Sequence, residues 1–244
     1  MKKIVITGGS GRFGEVLKKY KTKHKLYFPT KKELNILSSI KIESYLKKIK
    51  PDILIHLAGL SRPMKIHDTK IHKSIDLNII GTANITKACF KNNIKLIYFS
   101  TNYVYPGVKG NYKEDSALFP VNNYAWSKLG GEASVILYKN SLILRVCMTE
   151  KPFIHKKAFV NVKTNFIYHE KIPPILFKLL NKSGIINLGG IAQSVYDFAK
   201  KENKSTKKTY LKKKQRLGMP FNSTMNLKRL NFILKKNQFK IPKL

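Results

Sequence analysis

The chain opens with "KKIVITGGSGRFGEVLKKY" (residues 2–20): a β-branched run, a turn holding Gly8, Gly11 and Gly14, and an amphipathic helical pattern. This order leaves little choice of architecture. Glycines let a turn close tightly and approach a pyrophosphate, whose charge is stabilised by free N–H groups at the helix start. A Gly-x-x-Gly-x-x-Gly pattern is weak by itself. Between a first strand and a first helix it predicts a dinucleotide-binding βαβ series. Arg12 and Phe13 lie inside the same turn and join the three glycines as cofactor-binding candidates.

Strand-like and helical patterns alternate from there. "KLYF" (25–28) reads as a second strand, "IKIESYLKKIK" (40–50) as a helix stopped by Pro51, and "DILIHLAG" (52–59) as a buried strand. One long helix is expected from about Asp68 to Asn92. "IKLIYFST" (94–101) and "SLILRV" (141–146) are further strands, with a helix around Tyr124 between them. Such alternation predicts a parallel sheet with right-handed crossovers, an α/β fold with a Rossmann-type doubly wound domain over residues 1–150. Residues 151–244 read as a small C-terminal lobe, from which a helix and a strand (about 172–188) return to the main sheet. "SVYDFAKK" (194–201) is a short helix. The lysine-rich stretch 200–218 reads as a solvated loop or an edge strand, with an anionic contact as the alternative.

A chain of 244 residues with 43% hydrophobic and 25% charged residues has the composition of a soluble globular protein. No apolar run reaches the roughly 20 residues needed to span a bilayer, so no membrane partner is expected. Cys89 and Cys147 sit in apolar runs and read as buried, reduced thiols, which points to the cytoplasm. The formal charge of +35 is spread along the whole chain, and only Arg12, Arg62, Arg145, Arg216 and Arg229 are arginines. Readers of nucleic acid exploit arginine's bidentate fork, so no specific nucleic-acid partner is expected. The dispersed lysine, with abundant asparagine and isoleucine, suggests compositional drift. Its physical consequence is a positive field that attracts phosphorylated ligands.

An acid at the end of the second strand would bind the adenosine ribose 2′-hydroxyl and select NAD(H). Here "FPTKKE" places Lys31 and Lys32 at that point. With Arg12, these cations favour the 2′-phosphate of NADP(H), NAD(H) being the alternative. In "NNYAWSKLGGE" (122–132), Tyr124 and Lys128 fall one helical turn apart on one face. A phenol of pKa ~10 is a poor proton donor at neutral pH unless its anion is stabilised, and an ammonium group one turn away supplies that stabilisation.

As an ordered set these segments resemble the extended short-chain dehydrogenases/reductases, above all the dTDP-4-dehydrorhamnose reductase-like branch that acts on sugar nucleotides. The likeness is carried by "TGGSGRFG", "ELNIL" (33–37), "PDILIHLAG", "NIIGTANI" (78–85), "FSTNYVYPG" (99–107), "YKEDSALFPVNNYAWSK" and, near the C-terminus, "SVYDFAK" and "MPFNSTMNLKRL". It implies that Asn35 and Ile36 lie beside the adenine, that Ala58, Gly59 and Leu60 run along the cofactor ribose and nicotinamide, and that Thr101 joins Tyr124 and Lys128 as a catalytic triad. Ser100 is the neighbouring candidate for the hydroxyl. Asn102 stands where these reductases carry an aspartate that meets substrate, and Met219 where an arginine precedes proline. The stretch from Arg145 to Ile172, part of the substrate-binding lobe, is shorter than in relatives.

The implied activity is NADPH-dependent reduction of a nucleotide-linked 4-keto-6-deoxy sugar, with hydride from the cofactor and a proton from Tyr124. An epimerase or dehydratase that regenerates its nicotinamide is the alternative enzyme. A non-catalytic, nucleotide-binding regulatory subunit is the alternative outside enzymes. A homodimer is expected by analogy alone. Arg62 and Arg145 are candidates for substrate phosphates or for ordinary salt bridges. His56 reads as a packed residue beside the cofactor. His67, His72, His155 and His169 lack metal-ligand spacing, and Glu114 and Asp115 read as structural.

Overall fold

The β-branched runs of the first 146 residues form β1 (Lys3–Thr7), β2 (Lys25–Tyr27), β3 (Ile53–His56), β4 (Lys95–Thr101) and β5 (Ser141–Val146) in a computed structural model that describes residues 1–212 and 218–236. Among the described residues these strands and Gly184–Leu188 make a six-stranded sheet, in the order Gly184–Leu188, β5, β4, β3, β1, β2. Every neighbouring pair is parallel. The expected Rossmann-type α/β sheet is therefore present.

Side chains alternate across the sheet with period two. Ile4, Ile6, Ile55, Ile97, Phe99 and Leu144 pack with α1 (Arg12–Lys19) and the Pro173–Leu179 helix. Val5, Leu54, Leu96, Tyr98 and Ile143 pack with α2 (Ser39–Ile49) and the Gly81–Lys91 helix. Both faces are covered, which explains why the strands read as continuous apolar runs.

The long helix expected from Asp68 to Asn92 is interrupted. A short Ile66–Thr69 helix ends at Lys70, whose backbone leaves the helical region (φ −134°, ψ 59°). Ile71–Ser74 then leads through a π-helical segment, Ile75–Ile80, into Gly81–Lys91. The wide turn carries Asn78, whose side chain is committed to the loop after β3. Inserted π turns often mark such functional positions.

After β5, short paired strands surround a further apolar cluster that includes Phe153, Ala158, Val162 and Phe198. The basic stretch contains the strand Lys207–Thr209, paired with Lys157–Phe159. Its residues 213–217 lie outside the described ones. Among the described residues no helix is long and apolar enough to cross a membrane.

Candidate active site

The chain enters the sheet at β1, moves outward to β2, then crosses back to β3 on the other side of β1. The loops after β1 and β3 therefore part at a topological switch point, where open parallel sheets place ligands. Gly8 has φ +73°, and a Cβ there would meet the Ala58 backbone nitrogen at 2.6 Å. Only glycine lets the two loops touch. Gly11 is the N-cap of α1, and no side chain among the described residues caps that end. The α1 N-terminus, with its orphan N–H groups, is thus built to meet an anion. Phe13 is buried against Phe99 and the His169 ring, which anchors the turn.

The β3 loop is held by Asn78. Its Oδ1 accepts from the Leu60 N–H at 2.7 Å, while its Nδ2 donates to the Leu60 carbonyl and to Ser127 Oγ. Ser127 lies on the Asn123–Ile136 helix, so one amide ties the Ala58–Leu60 loop to the helix that carries Tyr124 and Lys128. His56 below it bonds Thr7 and Thr82, and burial lowers its pKa to about 3. It is a neutral, packed residue, as its apolar context implies.

The Asn123–Ile136 helix begins at Asn122, whose side chain caps the Ala125 N–H at 2.8 Å. Tyr124 and Lys128 follow at adjoining turns. Burial raises the Tyr124 pKa; a hydrogen bond with the Thr101 side chain and the Arg62 charge work in the opposite direction. Lys128 lies with Nζ 4.2 Å from the centre of the Tyr98 ring, and burial lowers its pKa to about 7 against the pull of Glu132. Thr101, at the end of β4, thus lies beside Tyr124. Ser100 points the other way, donating to Glu132 Oε2 at 2.6 Å. Strand alternation separates the two hydroxyls and leaves Thr101 at the site.

Other expectations fall differently. Arg145 is buried, with an ion pair to Glu132 at 2.5 Å and further bonds to the Tyr105 hydroxyl and the Glu114 carbonyl. Most of its donors are engaged inside the protein, as in an ordinary salt bridge. Asn102 is buried too, and its amide donates to Ser223 Oγ at 3.0 Å. It ties the end of β4 to the C-terminal segment. Arg12 and Arg62 share a single carboxylate, Glu150. Lys31 and Lys32 are exposed in the turn after β2, where Glu33 accepts from Thr30. Asn35 forms a local turn with the Leu37 N–H, and Ile36 is buried with its carbonyl accepting from Asn84. Sequence reasoning missed Asn78 and Glu150. Asn78 stood in the quoted "NIIGT" stretch, whereas Glu150 carried no pattern at all.

The family described as RmlD substrate binding domain matches residues 1–163. The chain belongs to this family. Among curated relatives it is 31% identical over 156 residues to methionine adenosyltransferase 2 subunit beta of Xenopus tropicalis, covering 59% of this chain and 46% of that protein. It is 28% identical over 154 residues to dTDP-4-dehydrorhamnose reductase of Aggregatibacter actinomycetemcomitans, covering 61% and 52%. The chain thus spans about half the length of the curated relatives it matches. Among solved structures, the dTDP-4-dehydrorhamnose reductase of Bacillus anthracis in complex with NADP superimposes with a TM-score of 0.84 at 21% identity, over 95% of this chain and 92% of that one. A hypothetical dTDP-4-dehydrorhamnose reductase of Sulfolobus tokodaii gives 0.81 at 24%, over 95% and 94%. At these identities the structures establish a shared fold with the RmlD family's reductases.

Proposed function

We propose that the protein is an NADPH-dependent reductase of a nucleotide-linked keto sugar, of the dTDP-4-dehydrorhamnose reductase type. What supports the reading is that Thr101, at the end of β4, lies beside Tyr124, with Lys128 one turn along the same helix and a glycine turn at the same edge of the sheet. Bound NADPH supplies a hydride. The residues of the chain do the rest. The Thr101 hydroxyl holds the substrate carbonyl oxygen, and Tyr124 Oη gives that oxygen its proton. The Lys128 ammonium stabilises the phenolate left behind. The turn at Gly8, Gly11 and Gly14, the α1 N-terminus and the Ala58–Leu60 loop hold the dinucleotide. Lys31 and Lys32 favour a 2′-phosphate and hence NADP(H) over NAD(H). Residues 151–244 form the substrate lobe.

A second reading rests on the likeness to methionine adenosyltransferase 2 subunit beta: a nucleotide-binding regulatory subunit without turnover of its own. NADPH oxidation across a panel of dTDP-, GDP- and UDP-linked keto sugars separates the two. The reductase reading expects turnover on one nucleotide class and a loss of about 10²- to 10⁴-fold in Tyr124→Phe with NADPH binding retained. Tight NADPH binding with no turnover on any sugar favours the regulatory subunit.

A further inference from the structure

Arg12 and Arg62, separate candidates in the sequence, come together on one side chain. Arg12 Nε lies 2.7 Å from Glu150 Oε1, and Arg62 Nη1 lies 3.2 Å from Glu150 Oε2. The three residues arrive from three loops: the glycine turn, the segment after β3, and the stretch that follows Met148–Thr149 beyond β5. Two guanidinium groups around one carboxylate leave a surplus positive charge. The side chains are 52%, 42% and 25% exposed for Arg12, Arg62 and Glu150, so water screens both pairs and exchange of partners is easy.

The position of this cluster matters. Arg12 is the first residue of α1, at the end built to meet an anion. Arg62 is close enough to Tyr124 for its charge to favour the phenolate. The His169 ring, tilted against Phe13, feels all three charges. One carboxylate therefore links the turn that meets a pyrophosphate to the face of the proposed proton donor.

We propose that Arg12 and Arg62 form a two-armed phosphate fork and that Glu150 is its built-in competitor. A pyrophosphate group entering the cleft takes the guanidinium groups from Glu150 by forming bidentate N–H···O contacts of the same geometry. The exchange ties ligand arrival at the glycine turn to the placement of Arg62 beside Tyr124. Identifying the natural ligand as a dinucleotide or sugar nucleotide rests on the reductase reading; the fork itself does not.

The test uses inorganic pyrophosphate, titrated by calorimetry at fixed low ionic strength into the full chain. Wild type is compared with Glu150→Gln, Arg62→Gln and the double variant, each checked for folding by thermal unfolding. Glu150→Gln is expected to bind pyrophosphate about three- to tenfold more tightly, the factor that losing a competing exposed ion pair contributes. Arg62→Gln is expected to bind more weakly, and the double variant to lose the gain. Unchanged or weaker binding by Glu150→Gln overturns the proposal, as does the same result with Glu150→Ala if the glutamine form is unstable. NADPH is titrated in parallel. The expected pyrophosphate pattern without NADPH binding contradicts the reductase reading and leaves the fork standing. NADPH binding with pyrophosphate affinity indifferent to Glu150 contradicts the fork and leaves the reductase reading standing.

Discussion

Lys128 illustrates how a proposed site residue acts against the fold that carries it. Burial lowers its pKa from the ordinary 10.5 to about 7, with Glu132 pulling the other way. Between those two values the unfolded chain binds more protons at this lysine than the folded one, so stability rises with pH across that window. Below pH 7 the full penalty applies; above 10.5 it vanishes. Lys128→Met is therefore expected to raise the thermal midpoint at pH 7, with an advantage that narrows toward pH 10.5, while turnover is lost. A variant no more stable than wild type at pH 7 contradicts the burial argument. Tyr124 and Lys128 were legible in the sequence because helical spacing alone puts them on one face. The engagements of Arg145, Asn102 and Arg62 were not. Their partners Glu132, Ser223 and Glu150 lie 13, 121 and 88 residues away, and only the tertiary fold brings them into reach.

At the scale of elements, the Asn123–Ile136 helix is fixed by two features of "KLGGE". A Cβ on Gly131 would meet the Tyr98 hydroxyl at 2.7 Å, so glycine lets the helix approach β4 and the π-helical segment. Next to it, Glu132 and Arg145 form an ion pair with both side chains only 3% exposed. Removing one partner strands a buried charge. Arg145→Met is expected to cost about 3–5 kcal/mol in urea unfolding, and Glu132→Gln combined with it to cost less than the sum of the two single changes. Full additivity would mean that the pair is not coupled. Strands β1, β3, β4 and β5 were legible as apolar runs, because a sheet covered on both faces needs them. The break at Lys70 and the wide turn at Ile75–Ile80 were not. The apolar period continues through both, and the hydrogen bonds of Asn78 to a distant loop decide the local geometry.

The whole molecule is a parallel sheet whose carboxyl edge gathers the loops after β1, β3, β4 and β5. Topology brings Gly8, Ala58, Thr101 and Glu150 to one side although no two are close in sequence. This much follows from alternating strands and helices, which is why the fold class and the glycine turn were legible in the sequence. The +35 charge, spread along the whole chain, gives a positive field that draws in phosphorylated ligands without specifying one. Hydride transfer is what separates a reductase from a nucleotide-binding subunit on the same fold. The decisive measurement follows deuterium from NADPH labelled at nicotinamide C4 into a nucleotide-linked 4-keto-6-deoxy sugar, read by mass spectrometry of the product. Recovery of one deuterium per sugar at the former carbonyl carbon with wild type, and incorporation slowed by about 10²- to 10⁴-fold with Tyr124→Phe, is the expected result. NADPH that binds while its label stays on the nicotinamide with every sugar offered contradicts the reductase reading.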